Sequence, residues 1–114
     1  MKQIIPQKVN GKTGVEFFKQ QDQWVLEVGQ AVGRGEVRGI QSYVLLFMQK
    51  IHQSKKTGTS WVAYATLAKE CGLSVDTVKR AIRAGLKAGL IAKVRRRLNG
   101  DGTPGPIEYA YLTD

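Results

Sequence analysis

Residues 64–90, YATLAKECGLSVDTVKRAIRAGLKAGL, constrain the fold more than any other stretch of this chain. They read as two helices joined by a tight corner. The first runs from about Tyr64 to Cys71. Gly72-Leu73-Ser74 makes the corner, and the second helix runs from about Val75 to Ala88. Gly72 suits the left-handed backbone that ends a helix. The Ser74 hydroxyl can accept from the orphan N–H groups of the next first turn, and Asp76 there suits the positive end of the helix dipole.

The second helix has two unlike faces. Val78, Ile82 and Leu86, with the small residues Ala81 and Gly85, fall in one stripe at helical spacing. Asp76, Lys79, Arg80, Arg83 and Lys87 fall on the other side. One face can pack while the other, largely cationic, is left to meet a partner. Two helices joined by a short Gly-containing turn, the second with a basic outer face, form the helix-turn-helix arrangement. Its second helix is the one that enters a DNA major groove. An ordinary helical hairpin with a solvated charged face is the competing reading of the same residues.

Charge distribution favours the first reading. The net charge is +9 over 114 residues, a balance that suits a polyanionic partner. Between Thr77 and Gly100 there is no acidic residue, whereas Lys79, Arg80, Arg83, Lys87, Lys93, Arg95, Arg96 and Arg97 all lie there. A chain of this length has room for one modest core. The single cysteine, Cys71, has no internal disulfide partner. Met1–Gly11 lacks the apolar region of a secretory signal, and the longest apolar run, Tyr43–Met48, is too short to span a bilayer. A reducing, cytoplasmic setting is therefore expected, with no membrane partner.

The rest of the chain supplies the frame. Ile4-Ile5-Pro6 suits a strand end or an ordered arm, and Gly11 and Gly14 flank a turn. Val15–Phe18 and Trp24–Val28 are rich in β-branched and aromatic residues, which predicts a β-hairpin around the polar Lys19–Gln23. A helix over Gln23–Val32 is the alternative. Residues 29–39 look like a connector. From Gly39 a long helix is predicted, because Ile40, Tyr43, Val44, Phe47, Met48 and Ile51 recur at helical spacing. Ser54–Thr59 is a polar loop, and Trp61-Val62-Ala63 suits a brief strand. After Gly89 a strand over Ile91–Leu98 is expected, with Val94, Arg96 and Leu98 on one side and Lys93, Arg95 and Arg97 on the other. Asn99–Pro106 is dense in turn residues, and Ile107–Leu112 returns as an antiparallel strand.

This order resembles the winged helix-turn-helix family of bacterial DNA-binding domains. The resemblance is carried by YATLAKECGLSVDTVKRAIRAGLKAGLI, then KVRRR, then the Gly/Pro-rich loop and IEYAYLT. It covers residues 38–114 and divides the chain into an N-terminal extension, 1–37, and a winged domain. It implies an α+β fold of three helices plus a C-terminal β-hairpin wing, with the N-terminal hairpin as an addition. Carried over to this chain, Val75, Asp76, Thr77, Lys79, Arg80, Arg83 and Lys87 belong to the recognition helix. Lys93, Arg95, Arg96, Arg97 and Asn99 belong to the wing. Ala63 stands where the family often has a capping Ser or Thr, and Asp76 where many relatives carry Arg. The style is also that of plasmid and phage replication initiators and other mobile-element DNA-binding domains.

The implied partner is double-stranded DNA. Arg80 and Arg83 are the candidates for reading bases, since arginine can donate two parallel hydrogen bonds to guanine. Lys79, Lys87 and Lys93 suit phosphates, which fix register without reading sequence. One winged helix covers a single half-site, so a homodimer or cooperative assembly is expected, paired through edge strands of the N-terminal hairpin. Nothing in the pattern calls for a cofactor, metal or catalysis. Gly33-Arg34-Gly35 lacks the spacing and the following Lys-Ser/Thr of a phosphate loop. His52 is the only histidine and stands far from Cys and from any carboxylate cluster. Cys71 falls on the inward side of its helix. Trp24 and Trp61 suit packing more than base stacking. A winged-helix protein-interaction module, using the 15–28 hairpin as contact strand, is the alternative function.

Overall fold

A computed structural model describes residues 3–4 and 13–113, the side chains of 3–4 and 13–16 excepted. The elements run β1 (Gln3–Ile4), α1 (Thr13–Gly33), α2 (Gly39–His52), β2 (Thr59–Ser60), α3 (Tyr64–Cys71), α4 (Val75–Lys87), β3 (Ile91–Leu98) and β4 (Pro104–Thr113). The architecture is α+β: helices pack on one face of an antiparallel sheet in which β4 pairs with β1, β2 and β3. Ile5, Pro6 and Gly11 lie outside the described residues.

The expected N-terminal hairpin is replaced by a helix. Val15–Phe18, Lys19–Gln23 and Trp24–Val28 are continuous in α1. Phe17, Trp24, Val28 and Ala31 are buried, and their spacing is that of one helical face. Burial of that face overrides the strand preference of the individual residues. The Lys and Gln residues between the two apolar groups are good helix formers. Gly14, expected in a turn, also falls within α1, and Gly29 sits in its exposed interior, where an added Cβ would meet nothing.

Trp24 fastens α1 to the sheet. Its indole Nε1–H donates to the Leu90 carbonyl at 2.8 Å, and its ring meets Tyr111 edge to face at 4.8 Å between centroids. Aromatic pairs prefer such geometry because the positive ring edge meets the negative face. The connector is shorter than 29–39. It turns at Gly35, whose φ is +76°, and buries Val37.

Helix α2 buries Val44, Leu45 and Met48, whereas Ile40, Tyr43 and Ile51 of the expected stripe are exposed. Leu45 takes the central place because α4 approaches closely. A Cβ built on Gly85 would lie 2.9 Å from the Leu45 Cδ2. Gly85 therefore sets the separation of α2 and α4. The brief strand before α3 is Thr59–Ser60, with Trp61–Ala63 a non-strand lead-in.

Candidate nucleic-acid interface

The α3–α4 corner is built as its residues require. Gly72 adopts φ +72°, and the Leu73 N–H donates to the Ala68 carbonyl at 2.9 Å, closing the end of α3. Ser74 Oγ accepts from the Thr77 N–H at 3.1 Å. Ala63 stands at the start of α3 with no side-chain cap. On α4, Val78, Ala81, Ile82 and Gly85 are buried, while Val75, Asp76, Lys79, Arg80, Arg83 and Lys87 are exposed. Thr77 is half-buried, and its hydroxyl bonds that of Ser74. Arg80 is paired with Asp76 one turn back at 3.0 Å, both side chains being about two-thirds exposed. Such a pair is weak in water and leaves Arg80 available.

The wing sorts its cations differently from the period-two pattern. Lys93 pairs with Tyr109 but Arg95 pairs with Glu108, so Val94 is an extra residue on β3. A bulge of this kind shifts the alternation of sides. Lys93 and Arg96 consequently share the sheet face of Tyr109 and Ile107, which looks toward the helices. Arg95 and Arg97 point to the opposite face. The expected grouping of Lys93 with Arg95 and Arg97 is thereby corrected, and Arg96 joins Lys93. Lys93 lines a cleft of about 240 Å³ with Lys79, Arg83, Leu86, Tyr64 and Tyr109. Arg96 lies beside Tyr64 and Ile107 in the neighbouring cleft and donates to the Gly105 carbonyl at 3.0 Å.

On the far face Arg95 and Arg97 share Glu108. Their Nε atoms lie 3.0 and 3.3 Å from its Oε1. The Thr59 hydroxyl donates to the other carboxylate oxygen. Arg97 also lies over the Trp61 ring, with Cζ 3.7 Å from the centroid, a cation–π contact. Burial pushes the Glu108 carboxyl up. The Thr59 and Arg95 hydrogen bonds and the charges of Arg97 and Arg95 outweigh that and hold it below the ordinary carboxylate value. Arg97 is accordingly committed within the molecule, and Arg95, far more exposed, is partly so.

The wing tip is ordered by its own side chains. Asn99 Nδ2 donates to Thr103 Oγ1 at 2.9 Å and to the Pro104 carbonyl at 3.3 Å. Asp101 accepts from both the N–H and the hydroxyl of Thr103. Asn99 thus shapes the turn with its amide.

Arg38 was not legible as a site residue, because it falls in a Gly-rich connector. The fold brings it, with Gln41, against Arg80, Arg83, Ala84 and Lys87 around a cleft of about 350 Å³.

His52 bonds Glu70 at 2.6 Å, because the end of α2 packs beside α3. Cys71 is buried, and burial, then the nearby Glu70 charge, push its thiol up, away from nucleophilic reactivity. Burial and the Tyr64 hydrogen bond raise Tyr109. Among the described residues no group of three or more His, Cys, Asp and Glu could hold a metal ion, and no helix is long and apolar enough to cross a membrane.

Comparison with curated proteins and with solved structures returned no match. A family model described as a helix-turn-helix domain matches residues 39–91, from the start of α2 to the start of β3. With β3 and β4 beside the matched residues, the architecture is that of a winged helix-turn-helix.

Proposed function

We propose that this protein binds duplex DNA sequence-specifically, with α4 in the major groove and the wing on the backbone. The observation that carries the reading is the free cationic side of α4. Arg83 stands exposed at its middle, with Lys79 toward the wing cleft and Lys87 toward α2. Arg83 and Arg80 read bases; Asp76, Thr77 and Val75 meet the groove near the helix start. Lys79, Lys87, Lys93 and Arg96 hold phosphates. With about four phosphates neutralised, log K falls against log salt with a slope of roughly −4. Selection of bound sequences from a random duplex pool, followed by titration at several salt concentrations, tests this. A common motif and the steep slope are expected; no enrichment and no salt-sensitive binding would remove the reading.

The protein acts in this proposal as a non-catalytic binder without cofactor, and as a dimer or cooperative array, since one α4 covers one half-site. Pairing through N-terminal edge strands is not available to a helical α1. Size measurement by sedimentation, free and on DNA, decides this point: one protein per selected site would exclude assembly. A role for a plasmid, phage or conjugative element, at an origin, transfer site or promoter, is supported by the resemblance of residues 38–114 alone. Footprint location tests it. Protein interaction is favoured as a second reading by Phe18 and Leu26, both more than half exposed on α1, and gains ground if salt-sensitive duplex binding is absent.

A further inference from the structure

The cleft between α4 and the start of α2 is lined by Arg38, Gln41, Arg80, Arg83, Ala84 and Lys87. Four of the six carry positive charge and none carries negative charge. Arg80 has Asp76 as a partner; Arg38, Arg83 and Lys87 form no ion pair with a described residue. Like charges gathered on one concave surface repel, and an anion placed among them relieves that repulsion. The cleft is open and polar, which suits a phosphate better than an apolar ligand.

Position decides what kind of phosphate. Along α4 the residues Lys79 and Leu86 turn toward the wing cleft, while Arg80, Ala84 and Lys87 turn toward α2. Arg83 lines both clefts. A helix lying in a major groove has a phosphodiester strand on each flank. The wing, through Lys93 and Arg96, serves one flank only. Something on the body must serve the other.

We infer that Arg38, with Lys87, grips the backbone phosphates of the DNA strand across the groove from the wing, so that the footprint reaches the start of α2. This rests on the duplex-binding reading and extends it to a residue outside the helix pair. Arg38 is suited to the role. Its backbone N–H is held by Gln41 Oε1 at 2.9 Å, which fixes the position of its Cα while the side chain stays exposed. A guanidinium so placed can give a phosphate two parallel hydrogen bonds.

The test compares wild type, Arg38→Ala and Arg38→Lys on selected and random duplex over a salt series. Arg38→Ala is expected to lose affinity roughly tenfold at low salt, the scale of one charge-assisted contact. The loss should be equal on both duplexes, with the slope shallower by about 0.9. Arg38→Lys should keep the slope. Because the Arg38 side chain is exposed, the thermal midpoint should stay unchanged. An unchanged affinity and slope for Arg38→Ala, while Arg83→Ala binds weakly, would overturn the inference and leave duplex binding standing. Failure of wild type to bind duplex at all would remove both. Inorganic phosphate and pyrophosphate, followed through the Arg38 side-chain NMR signal, form the other arm. Saturation by either at concentrations that leave duplex binding undisturbed would assign the cleft to a small phosphate ligand and overturn the strand contact.

Discussion

Trp24 and Leu90 are joined by a 2.8 Å hydrogen bond from the indole Nε1–H to the backbone carbonyl. The same carbonyl accepts from the Leu112 N–H at 2.9 Å, so one oxygen ties α1 to the start of β3 and the end of β4. Trp24→Ala should therefore destabilise the whole domain by about 3–5 kcal/mol, as expected for loss of a buried large aromatic. Trp24→Phe keeps much of the ring packing and leaves the carbonyl its Leu112 partner, so it should cost about 1–2 kcal/mol. Urea unfolding measures both. A cost under about 1 kcal/mol for Trp24→Ala would mean that α1 is an appendage.

Arg83 and Lys87 stand one turn apart on the same exposed side of α4. Arg83→Ala should weaken duplex binding and relax base preference, by roughly 1–3 kcal/mol at one position. Lys87→Ala should weaken selected and random duplex evenly. Competition titrations separate the two. Equal loss on both duplexes for Arg83→Ala would contradict base reading.

The wing arginines should part company. Arg96→Ala and Lys93→Ala should lower duplex affinity. Arg97→Ala should instead lower stability by roughly 1–3 kcal/mol, since it removes the Trp61 contact and one counter-charge of a buried carboxylate. Duplex titration beside thermal melting tests the division. A larger binding loss for Arg97→Ala than for Arg96→Ala, at intact stability, would reverse it.

Glu108 gives stability a defined acid dependence. Its folded-state pKa is depressed, so its pairing contributes fully above the ordinary value of about 4.3. That contribution is lost as pH falls through the lower folded value. Thermal midpoints should fall more steeply below about pH 4.5 in wild type than in Glu108→Gln. Parallel curves for the two would show that the carboxylate is not stabilised by its partners.

Gly85 has the Leu45 and Ile91 side chains within 2.9–3.3 Å of where a Cβ would sit. Gly85→Val should cost about 1–3 kcal/mol through overpacking and should also disturb duplex binding by tilting α4. Unfolding and titration of the same variant test both. Wild-type stability would show that α2 retreats freely.

The helix pair and its outer face were legible because several local signals agree there. The Gly72 turn, the Ser74 cap and the apolar stripe each point the same way, and the structure keeps all three. The N-terminal helix was not, because Phe17, Phe18, Trp24 and Val25 satisfy a strand's composition as well as a helix's period. Only the sheet that buries Trp24 decides between them. Residue order alone also cannot register Val94 as a bulge, since the slip arises from pairing with β4. Arg38 gave no signal of its own: its meaning comes from α4 lying across the start of α2. Exposure of Ile40 and Tyr43 has the same origin, since Gly85 draws Leu45, rather than their side of α2, into the centre.

The slip at Val94 carries a wider consequence. Because Val94 is an extra residue with no partner on β4, removing it would restore a regular ladder and leave Arg95 opposite Glu108 and Arg96 opposite Ile107. The division of the arginines between the two sides is thus held by what each meets on the returning strand. A shortened flap that kept those meetings would keep the division, even though the spacing of its basic residues along the chain had changed.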